Sequence, residues 1–173
     1  TSGEGFPEEW RLWVASQLKA GALIYSGYGA IDLDVGVAAE TPFTIVLRRL
    51  LLKDRSLSRE MLGTSRIPCF IGQYPPHNFY IRETLGKEGK REPEISVLNF
   101  KSVSPMLKYG VGDEGGILPL KEVFTLLEKA GHPIGRLLKE NGLKGIFPFP
   151  LIFIFGRSDG TVSVNGAMIS PTE

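Results

Sequence analysis

The chain has 173 residues, of which 42% are hydrophobic and 23% charged, and its formal net charge at pH 7 is +1. This composition is typical of a globular domain with a real core, and it excludes a disordered or fibrous chain. A balanced charge supplies no cluster of Lys and Arg to hold a nucleic-acid backbone, so nucleic acid is not expected as a partner.

The first part of the chain alternates helical and strand patterns. Apolar residues at helical spacing predict a helix from Pro7 to Leu18, which Gly21 ends. A short buried strand is predicted at 22–25, leading into a glycine turn at 26–29. Because the helix is followed by a strand and then by a glycine turn, we predict an α/β sheet.

A second helical pattern runs from Pro42 to Leu62, with its apolar residues on one side. Its basic side chains are predicted to form a solvated face: Arg48, Arg49, Lys53 and Arg55. On the first predicted helix, Trp10 and Trp13 are expected to pack in the core or between subdomains.

Between Ile67 and Leu120 the apolar period shortens to that of strands. The strand-sized segments lie between proline and glycine turns, at 69–71, 79–81, 95–98 and 106–107. We predict that these segments form a small antiparallel β unit.

The remaining pattern predicts two helices and two strands. The helices are expected from Leu120 to Lys129 and from Pro133 to Glu140. A strand is expected from Phe147 to Phe155, then a hinge-like turn at 156–160 and a further strand at 161–164.

Cysteine content and apolar runs bear on the compartment. Cys69 is the single cysteine, so it has no internal disulfide partner, and together with His77 and His132 it matches no metal-ligand spacing. The longest apolar run, 147–155, is too short to span a bilayer, and no signal peptide is visible. We therefore predict a cytoplasmic protein with no membrane partner.

Three turns combine glycine with an acid, and each follows a predicted strand. They read Tyr28-Gly29-Ala30-Ile31-Asp32, Tyr109-Gly110-Val111-Gly112-Asp113 and Gly156-Arg157-Ser158-Asp159. Glycine lets a ligand approach the backbone, tyrosine offers a flat face to a base, and a fixed carboxylate accepts from both hydroxyls of a ribose. The set suits a nucleotide, although any one of these turns alone is more often a plain surface turn.

In chain order, the segments GYGAIDLDVGVAAET, SPMLKYGVGD and FGRSDGTVSVNGAMISPTE resemble three blocks of the adenylate-forming acyl- and aryl-coenzyme A ligases, most closely the phenylacetate–coenzyme A ligase branch. The first block is matched by Tyr28, Gly29, Gly36, Val37, Ala38 and Glu40. The second and third blocks are matched by Pro105, Leu107, Tyr109, Gly112, Asp113, Gly156, Arg157, Asp159, Gly166 and Pro171.

The resemblance implies a mixed α/β fold and a fragment, namely the C-terminal part of the family's large N-terminal domain. Residues 1–65 would end an α/β subdomain. Residues 66–155 would form a β-rich subdomain with a helical insertion at 119–141. Residues 156–173 would contain the hinge and the first strand of the small C-terminal domain.

Carried over by resemblance, Tyr28 and Gly29 would lie against the adenine, and Asp113 would bind the ribose hydroxyls. Arg157 would contact the ribose or a phosphate. Asp159 would be the pivot about which the small C-terminal domain rotates.

The resemblance also suggests a metal site and an acid pocket. Asp32 stands where the family has a glutamate and would bind Mg²⁺. In relatives the acyl pocket lies partly near the first block, so Tyr25, Ala30 and Ile31 are the candidate contacts to the acid.

The implied activity is ATP-dependent ligation of a small aryl or acyl carboxylic acid to coenzyme A through an acyl-adenylate. The family's phosphate loop and adenylation lysine have no counterpart in this sequence. We therefore expect no catalytic residue in this fragment and no activity from it alone, whereas the complete protein would be a ligase. Whether it forms a homodimer stays open.

Departures from the family pattern keep other interpretations open, and they occur at Ile31, Asp32, Gly110, Gly160 and Asn165. The main alternative is a catalytically degenerate relative that binds or sequesters an aromatic carboxylic acid. A third interpretation is an unrelated α/β interaction domain in which all three blocks match by coincidence.

Overall fold

The computed structural model describes residues 5–19, 22–30, 33, 35–86, 89–98, 106–164 and 167–169. Within these residues the chain is mixed α/β, as predicted. The helices are α1 (Glu8–Gln17), α2 (Pro42–Lys53), α3 (Arg55–Leu62), α4 (Leu120–Lys129) and α5 (Ile134–Glu140). The strands are β1 (Gly27–Ala30), β2 (Val35–Ala39), β3 (Phe70–Gln73), β4 (Phe79–Leu85), β5 (Arg91–Val97), β6 (Tyr109–Gly110), β7 (Asp113–Leu118), β8 (Leu151–Arg157), β9 (Val162–Val164) and β10 (Ala167–Ile169).

The main sheet has five strands in the order β1-β2-β3-β8-β7, and all of its pairs are antiparallel. A second, three-stranded antiparallel sheet, β4-β5-β6, contains the predicted strands at 79–81 and 95–98. The other two members of the predicted small β unit are corrected, because the segment at 69–71 belongs to β3 of the main sheet and the segment at 106–107 is not a strand. β9 and β10 form a separate antiparallel pair. The main sheet takes strands from both sides of residue 65, and the division into three segments stays a prediction.

β8 lies at the centre of the packing. Leu151 and Phe153 contact the core cluster formed with α2, α3 and α4, whereas Ile152 and Ile154 contact a second cluster that includes residues of β4 and β5. Side chains alternate between the two faces of a strand, so β8 is covered by helices on one face and by the smaller sheet on the other. This double burial explains why β8 begins with four consecutive apolar residues that are all buried.

The predicted helix from Pro42 to Leu62 is two helices. Its start is a capping box, in which Thr41 Oγ1 accepts from Thr44 N and Thr44 Oγ1 accepts from Thr41 N. Asp54 then begins α3, because its Oδ1 accepts from two backbone N–H groups at 3.0 Å. A side-chain cap inside an apolar pattern therefore divides the helix without changing its periodicity.

Three further expectations are corrected. Residues 22–26 are irregular, and the strand begins at Gly27 instead. Trp10 and Trp13 are 38% and 61% exposed, so they do not pack in the core. Arg48 is only 4% exposed and does not belong to a solvated basic face. The last two errors have one cause: α1 and α2 bury charged side chains that pair with one another.

Candidate functional site

Three of the predicted site residues meet at one end of the main sheet. The Tyr28 phenol donates a hydrogen bond to Asp113 Oδ2 at 2.9 Å, although 85 positions separate the two residues in the chain. Arg157 Nη1 lies 3.4 Å from Asp113 Oδ1. We call Tyr28, Asp113 and Arg157 the carboxylate cluster.

Strand register explains how Arg157 reaches Asp113. In the antiparallel pair of β7 and β8, Asp113 stands opposite Arg157, at the start of one strand and the end of the other. Directly opposed side chains on one face lie within reach of each other. The sequence segments around positions 113 and 157 therefore become one site through a single strand pairing.

Sheet curvature brings Tyr28 to the same place. β1 and β7 are the two outer strands of the main sheet, and in a flat sheet they would be about 19 Å apart, further than a tyrosine side chain reaches. The register shifts at Tyr28/Gly29 in β1 and at Glu114/Gly115 in β7. Such bulges bend and twist a strand, and both lie next to the cluster.

The backbone conformation and the contacts of Gly112 explain why a glycine precedes Asp113. Gly112 has φ +78°, and a Cβ there would lie 3.1 Å from Arg157 Nη2. The carbonyl oxygen of Gly112 accepts from the backbone N and Oγ of Ser158 at 2.9 and 3.0 Å. Arg157 Nη1 also donates to the carbonyl oxygen of Val111 at 2.7 Å. The segment 111–113 is thus held by the last residue of β8 and by the turn that follows it.

Burial shapes the electrostatics of the cluster. It raises the pKa of the Asp113 carboxyl, and the hydrogen bonds from Tyr28 and Arg157 offset that rise only in part. Burial, together with the nearby Asp113 charge, raises the pKa of the Tyr28 phenol far above its ordinary value. The phenol therefore stays protonated and acts as a hydrogen-bond donor to the carboxylate.

Asp159 lies on the turn directly after β8. Its Oδ1 accepts from the backbone N of Thr161 at 2.9 Å, and this hydrogen bond lowers the pKa of the Asp159 carboxyl. Arg157 Nη2 lies 3.8 Å from Asp159 Oδ2, so the turn is also tied to the carboxylate cluster. The pivot role of Asp159 stays a prediction.

The other predicted contacts are distributed around β1. Gly29 is exposed next to Tyr28, and Ala30 is half-buried against the same core cluster as Tyr28. Tyr25 is half-buried in the irregular segment before β1. Ile31 and Asp32 lie outside the described residues. Among the residues that are described, no three His, Cys, Asp or Glu side chains are grouped so as to hold a metal ion.

A buried ionic network was missed by the sequence patterns. Arg11 Nη2 lies 2.6 and 2.8 Å from the two carboxylate oxygens of Glu40, and Arg11 Nε donates to Glu8 at 3.0 Å. Arg48 Nη1 donates to the same Glu8 oxygen at 3.2 Å, and Arg49 adds a contact at 2.9 Å to the other. We call Glu8, Arg11, Glu40, Arg48 and Arg49 the ionic network. The i,i+3 spacing of Glu8 and Arg11 in α1 was the available signal.

The ionic network supports the strand that carries Tyr28. Glu40 Oε2 accepts from the backbone N of Ser26 at 2.7 Å, while Glu40 N donates to the Ser26 carbonyl at 2.9 Å. These two bonds join the residues that directly adjoin the β1–β2 pair, whose register begins with Gly27 opposite Ala39. Arg11 in turn donates to the carbonyl of Ile24. The position of Tyr28 therefore depends on charges buried behind it.

Comparison with known proteins gives no match among family models, curated proteins or solved structures. Within the described ranges, none of the helices combines the length and the apolar character that a bilayer crossing requires.

Proposed function

We propose that this chain carries the ribose-binding part of the nucleotide site of an ATP-dependent carboxylate–coenzyme A ligase. The observation that carries the proposal is the meeting of Tyr28, Asp113 and Arg157. These residues come from the three segments that resemble the ligase blocks. They lie far apart in the chain and come into contact through the tertiary fold.

The residue types suit a nucleotide sugar. The two oxygens of the Asp113 carboxylate can accept from the two hydroxyls of a ribose, and hydrogen bonds to a charged acceptor are stronger than neutral ones. The Arg157 guanidinium beside it supplies a positive charge for a phosphate. The Tyr28 ring supplies an apolar face for a purine.

In the proposed reaction, ATP and the carboxylic acid form an acyl-adenylate and pyrophosphate, and the thiol of coenzyme A then displaces AMP. The residues of this chain would bind and orient the nucleotide, a contribution that lowers the entropic part of the barrier. Asp32 would hold Mg²⁺, and Asp159 would be the pivot between the two half-reactions. The substrate would be a small aryl or acyl acid.

A second candidate function is a binding protein that has lost the chemistry. It is favoured by the state of Asp113, whose side chain is 12% exposed and already contacts Tyr28 and Arg157. Such a protein would take up an aromatic carboxylic acid without consuming ATP.

Calorimetric titration with ATP, with GTP as the comparison nucleotide, tests the nucleotide site directly. The proposal expects saturable binding of ATP, and absence of any adenine-nucleotide binding by the complete protein would overturn it. Pyrophosphate exchange by the complete protein, measured with a panel of aryl and fatty acids, then separates the two candidates. Acid-dependent exchange supports the ligase, whereas saturable acid binding without exchange supports the binding protein.

A further inference from the structure

We infer that Tyr28 closes the proposed site in the absence of nucleotide, because its phenol holds a hydrogen-bonding position on Asp113 that a ribose hydroxyl would take. Nucleotide binding then requires an exchange: the phenol leaves Oδ2 and the sugar replaces it. The inference rests on the proposed function and adds a regulatory contact to it.

The first support is the coverage of Asp113. The residue is 8% exposed, which is too little for a sugar to reach both carboxylate oxygens while its neighbours stay in place. Oδ2 accepts from Tyr28 at 2.9 Å and Oδ1 faces Arg157 at 3.4 Å. The shorter and better-formed of these contacts is the one to the phenol.

The second support is the position of the Tyr28 ring. Its centroid lies 5.8 Å from that of Phe70, with the rings inclined by 32°. The aromatic ring that would receive a purine is therefore partly buried and packed against the protein's own core cluster. One movement of the Tyr28 side chain would uncover Asp113 and release the ring together.

The third support is the backbone at Tyr28. The register of β1 shifts between Tyr28 and Gly29, and β1 is an outer strand of the main sheet that pairs with β2. Bulges at strand edges redirect a side chain, and an outer strand gives up fewer ladder bonds when it moves. Tyr28 thus stands on an outer strand, where a change of side-chain direction breaks few backbone hydrogen bonds, and its main cost is the loss of the ring contact with Phe70.

The test compares Tyr28→Phe with wild type in titrations with ATP and with 2′,3′-dideoxy-ATP. Phenylalanine keeps the ring but removes the competing donor, so we expect ATP to bind about tenfold more tightly. Dideoxy-ATP offers no hydroxyl to the freed carboxylate, and its affinity should change far less. Tyr80→Phe is the matched control, because Tyr80 is 59% exposed on β4, and it should leave both affinities unchanged.

The outcomes separate the two proposals. If wild type binds ATP and Tyr28→Phe binds it no more tightly, the closing role is wrong and the nucleotide site stands. Equal tightening for both nucleotides also overturns the exchange with a ribose hydroxyl. If neither protein binds an adenine nucleotide, the proposed function and this inference fail together.

A measurement on wild type keeps the test independent of the variant's folding. A buried phenol that donates to a carboxylate absorbs differently in the near ultraviolet from one in water. We expect saturating ATP to produce a tyrosine difference spectrum that Tyr80→Phe retains. A spectrum without a tyrosine change on ATP binding would show that the phenol does not move, and would overturn the inference.

Discussion

Arg11 and Glu40 form a buried ion pair that joins α1 to the strand pair carrying Tyr28. Their side chains are 4% and 1% exposed, and the closest oxygen lies 2.6 Å from Arg11 Nη2. Removing two charges from water is costly, so such a pair persists only where its remaining hydrogen bonds are also made. Here the backbone N–H of Ser26 donates to Glu40, and Arg11 donates to the Ile24 carbonyl, so both partners of the pair make these additional hydrogen bonds.

We predict that Glu40→Gln destabilises the protein severely. The change keeps the shape of the side chain but leaves Arg11 and Arg48 with less compensating charge. Breaking a buried pair in this way lowers the free energy of unfolding by about 3–5 kcal/mol. Urea denaturation followed by circular dichroism measures the loss.

The matched control for that change is Glu140→Gln. Glu140 pairs with Arg136 at 2.7 Å, but both side chains are more than half exposed. Water screens such a pair, so the unfolding curve should not move. Similar curves for the two variants would show that the ionic network does not stabilise the fold.

The ribose-binding role proposed for Asp113 predicts a specific loss of binding. Asp113→Asn removes the charge that would accept from the sugar, so ATP affinity should fall at least about tenfold. Glu114→Gln is the control, since Glu114 is the next residue in β7 and its carboxylate contacts Arg66 at 2.6 Å instead. Calorimetry on both variants checks the prediction, which is wrong if they lose affinity equally.

The glycines that flank Asp113 should tolerate substitution very differently. A Cβ at Gly115 would overlap the carbonyl oxygen of Phe153 on the paired strand, so Gly115→Ala must displace backbone. Forced overlap of this kind costs about 1–3 kcal/mol of unfolding free energy. At Gly110 nothing lies within 4 Å of the added atom, so Gly110→Ala should be nearly neutral. Thermal unfolding of the Gly115→Ala and Gly110→Ala variants measures the difference. Equal melting temperatures would contradict the pairing of β7 with β8.

The pKa of Asp113 predicts how stability depends on pH. Burial raises this pKa, Tyr28 and Arg157 lower it in part, and the charge of Asp159 adds to the rise. The folded chain then holds the proton at pH values where the unfolded chain has lost it. The free energy of unfolding therefore falls as pH rises from the unfolded pKa through the folded one.

Because Asp113→Asn cannot ionise, it should lack this decline, and its stability relative to wild type should increase as pH rises through that window. Carbon-13 NMR of the carboxyl group reports the pKa itself. Tyr28→Phe should raise it further, because the phenol's hydrogen bond favours the charged form. An Asp113 that titrates at its ordinary value in wild type would contradict the prediction.

Local patterns in the sequence determined several elements. The apolar spacing from Leu120 to Lys129 predicted α4 with its observed bounds, and the pattern from Pro133 predicted α5 within one residue. Helical spacing depends on neighbours in the chain, so a single sequence is enough to identify it. The glycine turn predicted at 26–29 was wrong, because the chain is strand from Gly27 onward.

Only the tertiary structure decided which side chains meet. The distance between Tyr28 and Asp113 follows from strand order, register and the two bulges, none of which a local pattern specifies. The burial of Arg11 and Arg48 could not be predicted from the sequence either, because apolar periodicity predicts that a charged residue is exposed to solvent unless its buried partner is known. Both depend on residues distant in the chain, and those contacts exist only once the sheet has formed.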